Sequence, residues 1–397
     1  MGSGETVLKR TWWSRWRRRG GVNLQRYLFD VYEHGLEIER EMQREEECNQ
    51  LRRFSAPVDE CKTHPPLLLL HGFPDGPLLW RPLLPYLLAL PHRLIIPSLL
   101  GYHPTSTPSD PTAYNSKSMS DDLTELLTAE SASTVIAIGH DWGCFMASRV
   151  YLWHPQRVVG LGLLNVAYMP PDLTTPFNLD QSNAIMEKMI GYPSWAYTEF
   201  FTAEDGAAVM EGNVARVWEA MHADRPQPEW MREISCAKGA LRDFLMRGGD
   251  GDGDGKGAGN IELREYANDG SVYKEDFFRR MTDKEAAGIG PALCWYRAMT
   301  DNVYFETEKM LVKEALVLKV PTLFVACPGD AVCRPELIEG PKQAGLVPDL
   351  TVVEVNGCGH WGIIYEKAEE TAGVIGRFLK ERFGSKSPNG RPSSVLC

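Results

Sequence analysis

Short runs of continuous apolar residues alternate with helix-forming segments along most of this chain, and this alternation restricts the fold most. The runs that predict strands lie at residues 67–70, 94–96, 134–138, 158–166, 320–327 and 350–355. Segments typical of helices lie between and after them, at residues 83–90, 120–127, 144–153 and 366–382. Strands that are apolar on both faces and alternate with helices are typical of a mostly parallel sheet covered by helices on both faces. The sequence therefore predicts an α/β fold.

The alternation stops between residues 172 and 302, where the patterns are helical and rich in aromatic residues. We interpret this segment as a helical cap inserted over the carboxyl edge of the sheet. The predicted divisions are an N-terminal extension (1–60), a first core part (61–171), the cap (172–302), a second core part (303–383) and a polar tail (384–397).

A Gly/Asp-rich loop near residues 247–260 interrupts the cap. Its D-x-D-x-D-G start resembles a calcium-binding loop, but Ile261 stands where such a loop requires a bidentate glutamate. The loop is therefore predicted to be a flexible connection, and no metal site is expected in this chain.

The net charge and the cysteines of the chain indicate which partners it binds and which cellular compartment it occupies. A net charge of −11 argues against a general nucleic-acid-binding protein. The nine cysteines are odd in number and contain no C-x-x-C pair, which indicates reduced structural thiols. No apolar run approaches the ~18 to 20 residues of a membrane span. These features predict a cytoplasmic protein.

The first 20 residues combine basic side chains with Trp12, Trp13 and Trp16. A mobile extension without a dedicated partner is the simpler interpretation, because chain termini tolerate charge. The alternative is weak peripheral contact with an anionic membrane surface, which basic and aromatic residues suit.

Residues 139–143 (GHDWG) stand between a predicted strand and a predicted helix. A strand, a tight turn bracketed by glycines and a helix form the layout of a nucleophile elbow. The central residue is Asp141, whose ionised carboxylate can attack an electrophilic carbon and form an alkyl ester. Taken alone, the pentapeptide fits a turn whose aspartate caps the helix equally well. His140 precedes the elbow and should point away from the crevice.

Two further polar residues follow later strands. Asp330 comes after the strand at 320–327, and His360 comes after the strand at 350–355 in the segment GCGHW. In an open parallel sheet, the loops at the carboxyl ends of the strands meet in one crevice. The chain order nucleophile, acid and histidine is that of an α/β-hydrolase triad. The order therefore predicts Asp141 as nucleophile, His360 as base and Asp330 as the residue that orients the base.

The segment HGFPD at residues 71–75 follows the first core strand and is similar to an oxyanion loop. Together with GHDWG and GCGHW, it makes residues 65–378 resemble the epoxide hydrolases of the α/β-hydrolase superfamily. The resemblance implies that the backbone N–H groups of Phe73 and Trp142 hold the oxyanion.

The resemblance also implies that two cap tyrosines donate hydrogen bonds to the epoxide oxygen. Tyr197 lies in a Y-x-x-x-F segment and Tyr296 in a W-Y-R segment, as in these enzymes. Tyrosine stays protonated at neutral pH and is therefore suited to this role. Trp142, Trp195 and Phe200 are expected to give the pocket aromatic walls.

The predicted function is hydrolysis of a small apolar epoxide by water to a vicinal diol, without a cofactor or metal. Haloalkane dehalogenases share the core and the triad, so they remain an alternative, with Trp142 as a halide donor. A non-catalytic small-molecule-binding relative of the fold is a second alternative.

Overall fold

The computed structural model describes residues 29–32, 64–247, 261–282 and 287–384. The first 20 residues with their membrane interpretation, the glycine-rich part of the cap loop and the tail from residue 385 lie outside the described residues.

A seven-stranded sheet with the order β1-β3-β2-β4-β5-β6-β7 forms the centre of the protein. Its strands are β1 Phe29–Tyr32, β2 Leu67–Leu70, β3 Leu94–Pro97, β4 Val135–His140, β5 Val158–Leu164, β6 Thr322–Ala326 and β7 Leu350–Glu354. Strands β2 to β7 pair in parallel, and β1 pairs antiparallel with β3. The predicted mostly parallel sheet is confirmed.

Helices cover both faces of this sheet. The α-helices are α1 Leu84–Leu87, α2 Ser116–Ala129, α3 Trp142–Trp153, α4 Leu179–Ile190, α5 Tyr197–Thr202, α6 Gly206–Gly212, α7 Val214–His222, α8 Glu229–Ser235, α9 Ala240–Met246, α10 Val272–Thr282, α11 Gly290–Thr300, α12 Val303–Glu308, α13 Glu339–Gln343, α14 Gly362–Tyr365 and α15 Ala368–Phe383. Short 3₁₀ helices are Pro77–Leu83, Pro111–Tyr114, Pro155–Arg157, Glu265–Ala267, Lys313–Leu316 and Pro335–Ile338. Among the described helices, none has the length and apolarity that crossing a membrane demands.

Strand β2 shows how the two faces form separate cores. Leu68 and Leu70 join one cluster, which includes buried residues of α2 and α3, while Leu67 and Leu69 join another, which includes buried residues of α15. Alternate residues of a strand point to opposite faces, so an uninterrupted leucine run is buried on both sides. This explains why the strand has no polar alternation.

The boundaries of two predicted helices differ most from the structure. The helix predicted at 83–90 is a 3₁₀ helix, Pro77–Leu83, followed by the four residues of α1. Pro82 and Pro85 lack the N–H groups that a longer α-helix would use. Helix α2 begins earlier than predicted because the Asn115 side chain accepts a hydrogen bond from the Ser118 N–H and caps it.

Helices α4 to α11 lie between β5 and β6 in the chain and form the helical cap. Trp295 of α11 donates its indole N–H to the Leu100 carbonyl at 2.9 Å, and Arg280 of α10 donates to the Pro74 carbonyl. These contacts join the cap to the loops after β3 and β2, at the carboxyl edge of the sheet. The division of the chain into core parts, extension and tail stays a prediction.

Candidate active site

The turn between β4 and α3 is the tightest point of the site. Asp141 has φ 55° and ψ −127°, in a region that non-glycine residues occupy at a cost. A Cβ atom on Gly139 would lie 2.1 Å from the carbonyl carbon of Gly143. A Cβ on Gly143 would lie 1.9 Å from the oxygen of Leu70. Both glycines are therefore required for α3 to start directly against the sheet.

Backbone donors hold the carboxylate of Asp141. Its Oδ1 accepts a hydrogen bond from the Phe73 N–H at 2.7 Å, and the Trp142 N–H also bonds to the carboxylate. Burial raises the pKa of Asp141, while the nearby His360 charge and the two backbone donors act in the opposite direction. The structure thus brings Phe73 and Trp142 to the carboxyl group, where the predicted oxyanion would form.

His360 lies between two carboxylates. Its Nδ1 donates to Asp330 Oδ2 at 2.6 Å, and its Nε2 lies 3.8 Å from Asp141 Oδ2. Burial lowers the pKa of His360, but the charges of Asp330 and Asp141 outweigh burial and raise it to about 9. Burial likewise raises the pKa of Asp330, but His360 outweighs burial and holds it at about 2. At neutral pH His360 is therefore an imidazolium that donates to the ionised Asp330 and faces the Asp141 carboxyl group.

Asn165 hydrogen-bonds to both Asp330 and His360. The sequence analysis missed this residue. Its amide donates to Asp330 Oδ2 at 2.9 Å and to the His360 carbonyl at 3.0 Å. Asp330 Oδ1 also accepts the backbone N–H groups of Val332 and Cys333, each at 2.9 Å. Asn165 follows β5 with φ 70°, a conformation that asparagine adopts more readily than most residues. An asparagine directly after a core strand was the available signal.

Two buried histidines have structural contacts. His71 donates from Nδ1 to the Gly72 carbonyl and accepts the Leu99 N–H at Nε2, both at 3.0 Å. His140 donates from Nε2 to the His360 carbonyl at 3.0 Å. Burial lowers the pKa of both imidazoles to about 3, so both are neutral. They fix the loops that carry Phe73 and His360.

A third carboxyl group, that of Asp75, lies near His360. Asp75 Oδ2 accepts the indole N–H of Trp361 at 2.9 Å, and the Tyr365 hydroxyl lies 3.4 Å from Oδ1. Burial raises the pKa of Asp75 to about 6. Its charge also contributes to the raised pKa of His360. The sequence motif HGFPD contained this residue but gave it no role.

Tyr197 at the start of α5 and Tyr296 in α11 line the same pocket as Asp141. Their ring centroids are 5.8 Å apart and their planes are nearly perpendicular. Burial raises the pKa of each phenol well above 10, and the negative charge of Asp141 raises it further. Both tyrosines are therefore protonated donors beside the carboxylate.

The pocket has two branches that meet at Asp141, Tyr197 and Val332. The first branch also contains His360, Trp361, Phe73, Phe201, Met231 and Ile234. The second branch also contains Trp142, Phe145, Met186, Trp195 and Leu337. Apart from the catalytic groups, the walls of both branches are mostly apolar, as is usual for small-molecule sites.

The placement of Phe200 in the pocket is corrected. The structure places Phe201 in the wall of the first branch, while Phe200 is buried with its ring beneath the guanidinium of Arg242 at 5.6 Å. Adjacent residues of a helix point in different directions, so only one of the pair can face the pocket.

Asp330, Cys333 and His360 form the one cluster with metal-ligand chemistry that we find among the described residues, with ligand atoms within 4.8 Å of one another. The hydrogen bond between His360 Nδ1 and Asp330 Oδ2 already uses one atom of each of those two residues. The absence of a metal and of a cofactor stays a prediction.

Comparison with known proteins identifies the fold. A family model described as the alpha/beta hydrolase fold matches residues 65–194. The structure of epoxide hydrolase A from Mycobacterium thermoresistibile aligns with a TM-score of 0.64 at 21% identity, covering 92% of this chain and 98% of that one. The chain has the α/β-hydrolase fold.

Curated relatives extend this comparison. Epoxide hydrolase srdG of Neurospora crassa is 28% identical over 79% of this chain and 86% of its own length. Bifunctional epoxide hydrolase 2 of Rattus norvegicus is 26% identical over 83% of this chain. The alignment covers 54% of the rat enzyme, so this chain spans about half of that relative. The predicted resemblance to epoxide hydrolases is confirmed.

Proposed function

We propose that this α/β-hydrolase converts epoxides to vicinal diols through a covalent ester on Asp141. The observation that carries the proposal is the arrangement around that carboxylate. Two protonated tyrosines, Tyr197 and Tyr296, line the same pocket as this carboxylate, and His360, hydrogen-bonded to Asp330, lies 3.8 Å from it. An epoxide oxygen leaves as an alkoxide and needs an acid, and the tyrosines supply one.

In the first step, Asp141 attacks an epoxide carbon while Tyr197 and Tyr296 donate hydrogen bonds to the ring oxygen. One C–O bond of the ring breaks, the carboxylate forms an ester, and the alkoxide takes a proton from a tyrosine. Ester formation removes the charge of Asp141, which is one of the charges that raise the pKa of His360. His360 then releases its proton, which restores the tyrosine and leaves a neutral base.

In the second step, His360 removes a proton from water, and the water oxygen attacks the carboxyl carbon of Asp141. The oxyanion forms on the carboxyl group that the Phe73 and Trp142 N–H groups already hold. The ester then breaks to release the diol, and the carboxylate and imidazolium are restored. Asp330 keeps the imidazole oriented through its 2.6 Å hydrogen bond.

A paired assay separates this function from dehalogenation, which would use the same carboxylate. Diol formation from an aryl epoxide and halide release from a bromoalkane should be measured with the same preparation. We expect diol without halide release, because Tyr197 and Tyr296 line the pocket with Asp141 and can protonate an alkoxide, which a halide leaving group does not require. Halide release without diol would support the dehalogenase instead.

Oxygen labelling tests the covalent route. In a single turnover in heavy-oxygen water, the diol should take its new oxygen from Asp141 and carry no label. The label should appear in the Asp141 carboxyl group. Label in first-turnover diol would mean direct attack by water and would contradict the ester. In His360→Gln, the mass of one substrate should remain on the protein, and Asp141→Asn is the control that should form no ester.

We further propose a cytoplasmic location, supported by the odd cysteine count without a C-x-x-C pair. Peripheral membrane contact through residues 1–20 stays a prediction. A flotation assay with anionic liposomes tests this membrane contact by comparing the full chain with a truncation that lacks residues 1–20. If neither protein is found in the lipid fraction, the membrane contact is ruled out.

A further inference from the structure

Gln227 borders two separate spaces in the protein. Its side chain lines the first branch of the substrate pocket, together with His360 and Trp361. It also lines a second cleft, which is open to solvent and whose walls include Arg225 and Arg264. Another part of the wall of this cleft comes from the two loops that carry Asp330 and His360, at residues 328–329 and 357–358.

The side chain of Gln227 lies directly against both of these loops. A Cβ atom on Gly359, next to His360, would lie 3.0 Å from Gln227 Cγ. A Cβ atom on Gly329, next to Asp330, would lie 3.6 Å from Gln227 Cβ. Because Gly329 and Gly359 have no side chains, the Gln227 side chain fits between the cleft and the pocket.

The amide oxygen of Gln227 is a buried acceptor. Its Oε1 receives no hydrogen bond from any described residue. Buried carbonyl oxygens in proteins normally accept at least one hydrogen bond, and water is the usual donor at a polar site that adjoins solvent. A water molecule bound to Oε1 would lie near His360, because the Gln227 side chain lies against Gly359, the residue before His360. In the proposed mechanism the imidazole of His360 deprotonates such a water molecule.

We propose that Gln227 is a positioning residue for the hydrolytic water. Water enters from the cleft past the Gln227 side chain, donates one hydrogen bond to Oε1 and presents its other proton to His360. The proposal rests on the proposed function, since it assigns the source of the water that hydrolyses the Asp141 ester. Pro226 and Pro228 fix the neighbouring φ angles, so passage depends on rotation of the Gln227 side chain rather than of its backbone.

The two steps of the reaction give this role a specific signature, because water is consumed only in the second step. Gln227→Leu keeps the bulk of the side chain and removes the acceptor. Ester formation should proceed at the wild-type rate, while ester hydrolysis should slow by about tenfold, the effect of one lost hydrogen bond. Both kcat and KM should fall together, and the ester on Asp141 should accumulate in the steady state.

Rapid mixing with an aryl epoxide, followed by acid quenching and intact-mass measurement, gives the two rates separately. Gln343→Leu is the matched control, because this glutamine is exposed at the end of α13, and neither rate should change. Gln227→Asn keeps an amide oxygen on a shorter side chain and should restore part of the hydrolysis rate. Thermal melting of each variant measures whether it is folded.

The outcomes distinguish this inference from the proposed function. Equal slowing of ester formation and hydrolysis in Gln227→Leu would assign Gln227 a merely structural role and overturn the proposal. Unchanged rates for both steps would overturn it as well. If Gln227→Leu does not fold, the test uses Gln227→Asn instead. A wild-type rate of ester hydrolysis in Gln227→Asn, with no accumulation of the ester, would then count against the proposal. If the wild-type chain forms no diol and no ester, the proposed function itself fails.

Discussion

The charge state of each side chain around Asp141 decides which step that side chain can perform. In the proposed mechanism the tyrosines act as acids, because burial keeps their phenols protonated, with pKa values well above 10. His360 would act as a base only after the Asp141 charge is lost, because the charges of Asp330 and Asp141 raise its pKa. In this mechanism the same few charges set the order of the two steps.

Replacing either tyrosine tests the acid assignment. Tyr197→Phe and Tyr296→Phe should each slow ester formation by about 10² to 10³, by analogy with the loss of one oxyanion donor. The hydrolysis rate should be less affected, because the phenols act on the epoxide oxygen. Tyr86→Phe removes a hydroxyl from a tyrosine that is 39% exposed and should have no effect. Wild-type ester formation in both pocket variants would contradict the assignment.

The pH dependence of stability tests the His360 environment, to which Asp330, Asp141 and Asp75 contribute charge. The pKa of His360 is about 9 in the folded protein, above the ordinary 6.5. Its contribution to stability is therefore complete below pH 6.5 and is lost as the pH rises through about 9. The melting temperature of wild type relative to His360→Gln should fall over that range. A difference that does not change between pH 6 and 10 would contradict the raised pKa.

At the scale of elements, the contact between β2, β4 and α3 positions the nucleophile. A single residue, Asp141, separates the end of β4 from the start of α3, and it has a positive φ. Close packing holds this costly backbone conformation, because the Gly143 backbone lies against the carbonyl of Leu70. The elbow is therefore fixed by sheet and helix together rather than by the turn alone.

Gly143→Ala should disrupt this contact. Its Cβ would lie 1.9 Å from the Leu70 oxygen, a backbone atom that cannot move without displacing β2. The free energy of unfolding should fall by about 3 kcal/mol, and diol formation should be lost because Asp141 moves with α3. Gly340→Ala in α13 is the control, since its Cβ would meet no described atom within 4 Å. Urea denaturation of both variants measures the difference, and equal stabilities would contradict the packing argument.

At the scale of the whole molecule, the sequence predicted what the sheet topology determines. Loops at the carboxyl ends of parallel strands converge, so a parallel sheet predicted from the apolar runs was enough to bring Asp141, Asp330 and His360 together. Phe200 was wrongly placed in the pocket wall because the rotation of α5 about its axis depends on tertiary packing. Asn165 and Asp75 were missed for a related reason, since their roles depend on partners distant in sequence.

The two branches of the pocket lead to the last prediction, because both end at the same carboxylate. An epoxide with an apolar group on each ring carbon can fill both branches, so its kcat/KM should exceed that of a terminal epoxide of equal size. Ile234→Trp narrows the first branch and Leu337→Trp the second. Each should lower kcat/KM for the disubstituted epoxide by about tenfold or more. The terminal epoxide should be less affected, because one open branch accommodates it.

Met310→Trp provides the control for these variants, since Met310 is 75% exposed. Its kcat/KM should match the wild type for both substrates, which excludes a general effect of an added indole. The decisive quantity is the ratio of kcat/KM for the two epoxides, because a loss of folded enzyme lowers both values equally and leaves the ratio unchanged. A wild-type ratio in both branch variants would show that the substrate occupies neither branch at the substituted positions, and the reaction would then use only the space shared around Asp141 and Tyr197.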